Sequence, residues 1–172
     1  MDKALAHISE DGTRTQTVYE HLSGTARLAG AFAAPFGAAQ EAEYAAWLHD
    51  IGKYSAAFQQ RLAGGCATDH STAGAQEAMK GCMPHVQAAF AVAGHHTGLP
   101  DGGNRRTADA ADATLFGRLK KPVEPTMAGG RSPCPRAPRQ TGQTATRWIL
   151  HFSPGCSTPV LWTRILSTPK LL

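Results

Sequence analysis

After Glu124 the chain has no aspartate or glutamate. All 13 acidic residues come before that point, where 11 of the 17 lysines and arginines leave a net charge of −2. The remaining stretch, Pro125 to Leu172, has the other six basic residues and a net charge of +6. The pI near 9.0 therefore belongs to the C-terminal segment, and bulk charge does not make the first 125 residues a nucleic-acid binder. Cysteine pairing is also absent. Cys66, Cys82, Cys134 and Cys156 are widely spaced and form no Cys-x-x-Cys, which argues against a zinc ribbon or a disulfide framework. No apolar run reaches the roughly 20 residues of a membrane span; Leu28 to Ala39 comes nearest and is broken by Pro35 and Gly37. Met1 to Arg14 has no apolar signal core, so a cytoplasmic protein without a membrane partner is expected. β-Branched residues are few, alternation is slight and no Asn-Gly turn occurs, so strand signals are weak and a nearly all-helical domain is expected.

What the chain does have is helical spacing and histidine. Val18, Leu22, Ala26, Ala29 and Phe32 or Ala33 mark one helix over Thr17 to Ala34, ended by Pro35 and Gly37, with His21 one step before Leu22. A second runs from about Ala38 to Asp50, with Tyr44, Trp47 and Leu48 toward a core and His49-Asp50 in its last turn. Tyr54 to Leu62 makes a short amphipathic helix around Phe58 and Leu62. Asp69-His70-Ser71-Thr72 reads as a capped start of a helix through about Met79. Pro84 opens a helix ending at Gly94, closed by His95-His96 and followed by the loop Thr97 to Gly103. The fold class expected is all-α, a helical bundle over residues 1–125. Residues 126–172 form a Pro-rich, basic and irregular tail.

His21, His49, Asp50, His70, His95 and His96 all lie at or near ends of these helices. Neutral imidazole with carboxylate suits Mn, Fe, Co, Ni or Zn better than Ca. Asp50 has two oxygens and could bridge two such ions about 3.5–4 Å apart. Lys53, three residues on, is in reach of a phosphate oxygen and would be catalytic together with Asp50. A single histidine is more often a surface or satisfied core residue than a ligand; here the His-Asp and His-His pairs shift the balance toward metal. His7 and His85 have no comparable neighbours and are assigned structural roles.

The strings LHDIGKYSAAFQQRL (Leu48 to Leu62), Asp69-His70-Ser71-Thr72-Ala73-Gly74-Ala75 and Gly94-His95-His96-Thr97-Gly98-Leu99, with His21 ahead of them, occur in that order. In this the chain resembles the HD nuclease domain of CRISPR-associated type I helicase-nucleases, over roughly Ala6 to Pro125. The resemblance implies a helical HD fold that cuts single-stranded DNA in antiviral defence, with a helicase and the interference complex in other chains. It also implies one or two divalent ions held by His21, His49, Asp50, His70, His95 and His96, with Lys53 facing the phosphate. Two alternatives stand beside it: an HD-family nucleotide phosphohydrolase, and a non-enzymatic remnant or docking module.

The resemblance further implies a closing acidic residue from a later helix, in a segment like Phe-Phe-x-Arg-Met-Leu-x-Ser-x-Leu-Val-Asp-Ala-Asp. The tail has none, but its codons can be regrouped. Starting from the third base of the His151 codon, permitted choices through Lys170 spell a closely similar segment. Trp162 and Thr163 there force an aspartate codon, because TGG followed by AC contains GAC. The expectation is that 126–172 is a frameshifted tail and that C-terminal helices of the bundle are missing.

Overall fold

The computed structural model describes residues 4–80 and 84–124. The boundary at residue 125, the tail, its proposed frame and the expected loss of C-terminal helices lie outside the described residues.

The described chain is mostly helical, as expected, and opens with one small hairpin. Strand β1 (Leu5–Ile8) pairs antiparallel with β2 (Thr15–Thr17). The hairpin forms despite its weak pattern because its turn and its outer edge are both tied. Gly12 takes a left-handed φ of 72° inside the Ser9–Arg14 turn, a conformation that costs glycine little. The Ser9 N–H donates to the Arg14 carbonyl at 2.9 Å. On the other edge Gln59 reaches across: Leu5 N–H donates to its Oε1 at 3.0 Å, and its Nε2 donates to the Leu5 carbonyl at 3.0 Å. A residue from a distant helix thus completes the ladder that local sequence could not announce.

Helix α1 (Val18–Ala33) begins with a capping box: the Thr17 hydroxyl accepts from Glu20 N–H while the Glu20 carboxylate accepts from Thr17 N–H. It ends through a short 3₁₀ turn, Ala34–Phe36, and Gly37 at φ 69°. Helix α2 (Ala39–Leu48) packs back on α1. Their contact is made of alanines, Ala26, Ala29 and Ala33 against Ala38, Ala42 and Ala46, which lets the two backbones come close. Ala33 takes the inward position and Phe32 is exposed. Beyond α2 lie a 3₁₀ turn, Ile51–Tyr54, and helices α3 (Ala56–Leu62), α4 (Ser71–Ala78), α5 (Val86–Gly94) and α6 (Leu115–Arg118).

One main core joins them, with Val18 and Leu22 of α1, Leu48 of α2, Ala75 and Ala78 of α4, Val92 of α5 and Leu115 of α6 all buried. Trp47 is half-buried and packs against both clusters. Two close approaches fix the geometry of this core. A Cβ on Gly74 would fall onto the Leu48 carbonyl oxygen, and one on Gly52 onto the His70 carbonyl oxygen. Both glycines therefore let α4 and its approach press against the end of α2. Arg118 holds α6 to the same region, donating to the Ala93 carbonyl at 2.9 Å and to Ser71 Oγ at 3.3 Å. No helix among the described residues is long and apolar enough to cross a membrane.

Candidate metal centre

Two helices end in the same way. His49 is the C-terminal cap of α2 and His95 that of α5. A helix leaves its last carbonyls without partners. Each histidine ring turns back to one of them: His49 Nδ1 lies 2.6 Å from the Ala46 carbonyl oxygen and His95 Nδ1 2.7 Å from that of Val92. An Nδ1–H donated there fixes the tautomer, so that Nε2 of each ring presents a lone pair. His70 precedes α4, and its Nδ1 lies 3.3 Å from the Thr68 carbonyl oxygen. Asp69 beside it accepts from the N–H groups of Ser71 and Thr72, each at 3.1 Å, and so settles where α4 begins.

The Nε2 atoms converge on Asp50. Its Oδ1 lies 3.2 Å from Nε2 of His70 and 3.2 Å from Nε2 of His95. Its Oδ2 lies 2.9 Å from Nε2 of His21 and 3.2 Å from Nε2 of His49. His96 completes the first side, its Nε2 being 2.8 Å from that of His70. All six residues singled out by the sequence are therefore brought to one place, and all but the exposed His96 are buried. The carboxylate has two faces. On one, Asp50, His70, His95 and His96 offer ligand atoms within 4.8 Å of one another; on the other, His7, His21 and Asp50 do so.

His7, given a structural role from the sequence, lies at the site as well. It sits on β1, where its ring centroid is 4.8 Å from that of His21 and its Nε2 accepts from Lys53 Nζ at 3.0 Å. Lys53 itself is 4 % exposed, and its ammonium lies 2.9 Å from Asp50 Oδ2. It is thus turned onto the carboxylate from the 3₁₀ turn rather than outward. Gln59 is the other residue whose part the sequence did not reveal. Besides pinning β1, its Nε2 donates to the Lys53 carbonyl at 2.7 Å, so one amide joins the strand of His7 to the turn of Lys53. Phe58 packs edge-on against His70 with centroids 5.1 Å apart, which gives the Phe-Gln of the Leu48–Leu62 string a physical role on both faces. His85 stands apart, tilted against Tyr44 with ring centroids 4.8 Å apart.

Electrostatics prepare these groups as ligands. Burial opposes ionisation of Asp50, but the imidazoles of His49, His21 and His70 around it outweigh this and hold the carboxyl well below the usual carboxylate range. Although His96 is exposed as a residue, partial desolvation of its ring, helped by His95 and His70, pushes it down to about 4. His21 is lowered too, chiefly by burial. At neutral pH the centre therefore offers an ionised carboxylate at Asp50, with His21 and His96 held as neutral imidazoles beside it.

A cation fits this set on a direct test. Asp50 Oδ1 and His95 Nε2 are buried, and among the described residues neither has a hydrogen-bond partner, although they lie 3.2 Å apart. The proton of His95 is committed to the Val92 carbonyl, so two lone pairs face each other. Buried polar atoms are rarely left so, and a divalent ion bound by oxygen and imidazole nitrogen satisfies both. Residues 18–126 match the HD domain.

The chain belongs to the HD-domain family. HD domains are metal-dependent phosphohydrolases, and His49-Asp50 is the pair that gives the family its letters. No curated protein and no solved structure matches the chain. The HD match begins at Val18, so the β-hairpin and His7 lie outside it, although they supply part of the site.

Proposed function

We propose that this HD domain hydrolyses phosphodiester bonds of single-stranded DNA in CRISPR antiviral defence, working beside a helicase and an interference complex in other chains. The observation that carries the hydrolytic part is the partnerless pair Asp50 Oδ1 and His95 Nε2, a buried position that calls for a metal ion. The choice of substrate is supported by the joint presence of the Leu48–Leu62, Asp69–Ala75 and Gly94–Leu99 strings.

Asp50, His70, His95 and His96 would hold the ion, with His21 and His49 on the opposite carboxylate oxygen. Bound there, a Mn, Fe, Co, Ni or Zn ion would polarise a phosphate and make a bound water more acidic. Asp50 supplies the negative charge that attracts the ion. The helix-end hydrogen bonds of His49 and His95 keep their rings from rotating away. Lys53 brings a fixed positive charge beside Asp50, so the carboxylate does not repel an incoming phosphate.

Circular single-stranded DNA and free nucleotides, each incubated with purified protein and Mn, Co or Ni, test the reading. Cutting of the circle, abolished in Asp50→Ala, is the expected result. Hydrolysis of nucleotides alone would replace the nuclease by a nucleotide phosphohydrolase, and no hydrolysis of either would leave a docking module.

A further inference from the structure

The two faces of Asp50 differ in one respect. Oδ1 and the His95 nitrogen opposite it have no hydrogen-bond partner. Oδ2 is fully engaged, by His21 at 2.9 Å and by the Lys53 ammonium at 2.9 Å. That ammonium sits within the group formed by His7, His21 and Asp50, where a second ion would otherwise bind. It is held on several sides: Nζ donates to His7 Nε2 at 3.0 Å and to the Ala6 carbonyl at 3.5 Å, and lies 5.4 Å from the centroid of the Phe58 ring. Gln59 anchors both the Lys53 carbonyl and the strand that carries His7.

We infer that this chain takes one divalent ion, on the Oδ1 face with His70, His95 and His96, and that the Lys53 ammonium is the resident cation of the Oδ2 face. The inference rests on the metal-dependent reading above and narrows it to a single-ion centre. A second dication on the Oδ2 face would share one carboxylate oxygen with a buried positive charge, and like charges at such a distance in a poorly solvated site repel strongly. Among the described residues no second carboxylate joins that face to offset the charge. With Lys53 in place, the ammonium cancels the carboxylate, and a bound dication keeps its full charge for an anionic substrate. The role given to Lys53 is thus to fill a position as well as to attract phosphate.

The test is the metal content of the full chain, desalted after incubation with Mn(II), for the natural protein and for Lys53→Met. Removing the ammonium opens Asp50 Oδ2, with His21 and His49 beside it, to a second ion. The expected content is one ion in the natural chain and two in Lys53→Met, whose electron paramagnetic resonance spectrum then shows a spin-coupled Mn pair bridged by Asp50. Two ions in the natural chain, or one in the variant, would overturn the inference and leave the hydrolase reading standing. No ion in either would overturn both. Should Lys53→Met not fold, His95→Ala and His21→Ala decide: the ion is lost with the first and kept with the second. Loss with His21→Ala and retention with His95→Ala would overturn the assignment.

Discussion

His49 and His95 sit on different helices and make the same hydrogen bond, each from Nδ1 to the carbonyl three residues back, at 2.6 and 2.7 Å. One device both finishes a helix and aims a lone pair at Asp50. The centre is therefore stabilised by whatever satisfies those lone pairs. Adding Mn at about one hundred times its dissociation constant should raise stability by about 2.7 kcal/mol, read as a rise of several degrees in Tm. Chelator should reverse it. His95→Ala should show no such rise.

Gly52 and Gly74 are placed where any side chain would meet backbone, His70 and Leu48 respectively. Gly52→Ala should move His70 away from Asp50, and Gly74→Ala should push α4 off α2. Forcing a methyl into packed space of this kind costs about 1–3 kcal/mol. Urea denaturation should show that loss for both variants, and Mn titration should show weaker binding in Gly52→Ala.

Gln59 ties β1 to the 3₁₀ turn through three hydrogen bonds of 2.7–3.0 Å. In Gln59→Ala the Leu5 amide loses its acceptor, and the strand that holds His7 loses its outer edge. Amide exchange at Leu5 should accelerate by tenfold or more, since a bond worth about 1 kcal/mol or somewhat more goes with each removed partner. Exchange in the middle of α5 should stay as it was.

His85 makes part of the stability pH-dependent. Burial holds its pKa below the ordinary value, with the Glu41 carboxylate pulling the other way. The unfolded chain protonates this ring near pH 6.5, so between the two values the unfolded state binds more protons. Its contribution is fully present above about pH 6.5 and is lost as pH falls through the folded value. His21 and His96 are lowered in the same direction, so stability should decline on mild acidification. His85→Gln should reduce the decline between pH 7.5 and 5, measured by urea denaturation at each pH.

Much of the centre was legible because its residues sit where helices stop. An apolar run ending at Leu48 puts His49-Asp50 at a helix end, and Gly94 does the same for His95-His96. Asp69, with its short carboxylate, marks the start after His70. His7 was not legible, because a four-residue strand with little alternation gives no local signal and because its edge is completed by Gln59, far along the chain. Helix α6 was missed because it is only four residues long and contains Gly117, too short for a helical period to show, and only the burial of Leu115 in the main core makes a helix worthwhile there. The direction of Lys53 was ambiguous in principle. Three residues after Asp50, an ammonium can serve the carboxylate or an outside phosphate equally well, and only packing against His7 and Phe58 selects the first.

Asp50 is shared by both faces, so replacing it by an isosteric neutral group is the most direct trial of the centre. Circular single-stranded DNA should be cut by the natural chain when Mn is restored to chelator-treated protein, and Asp50→Asn should bind no ion and cut nothing under the same conditions. Cutting that persists in chelator, or in Asp50→Asn, would contradict a metal-dependent phosphodiesterase built on Asp50.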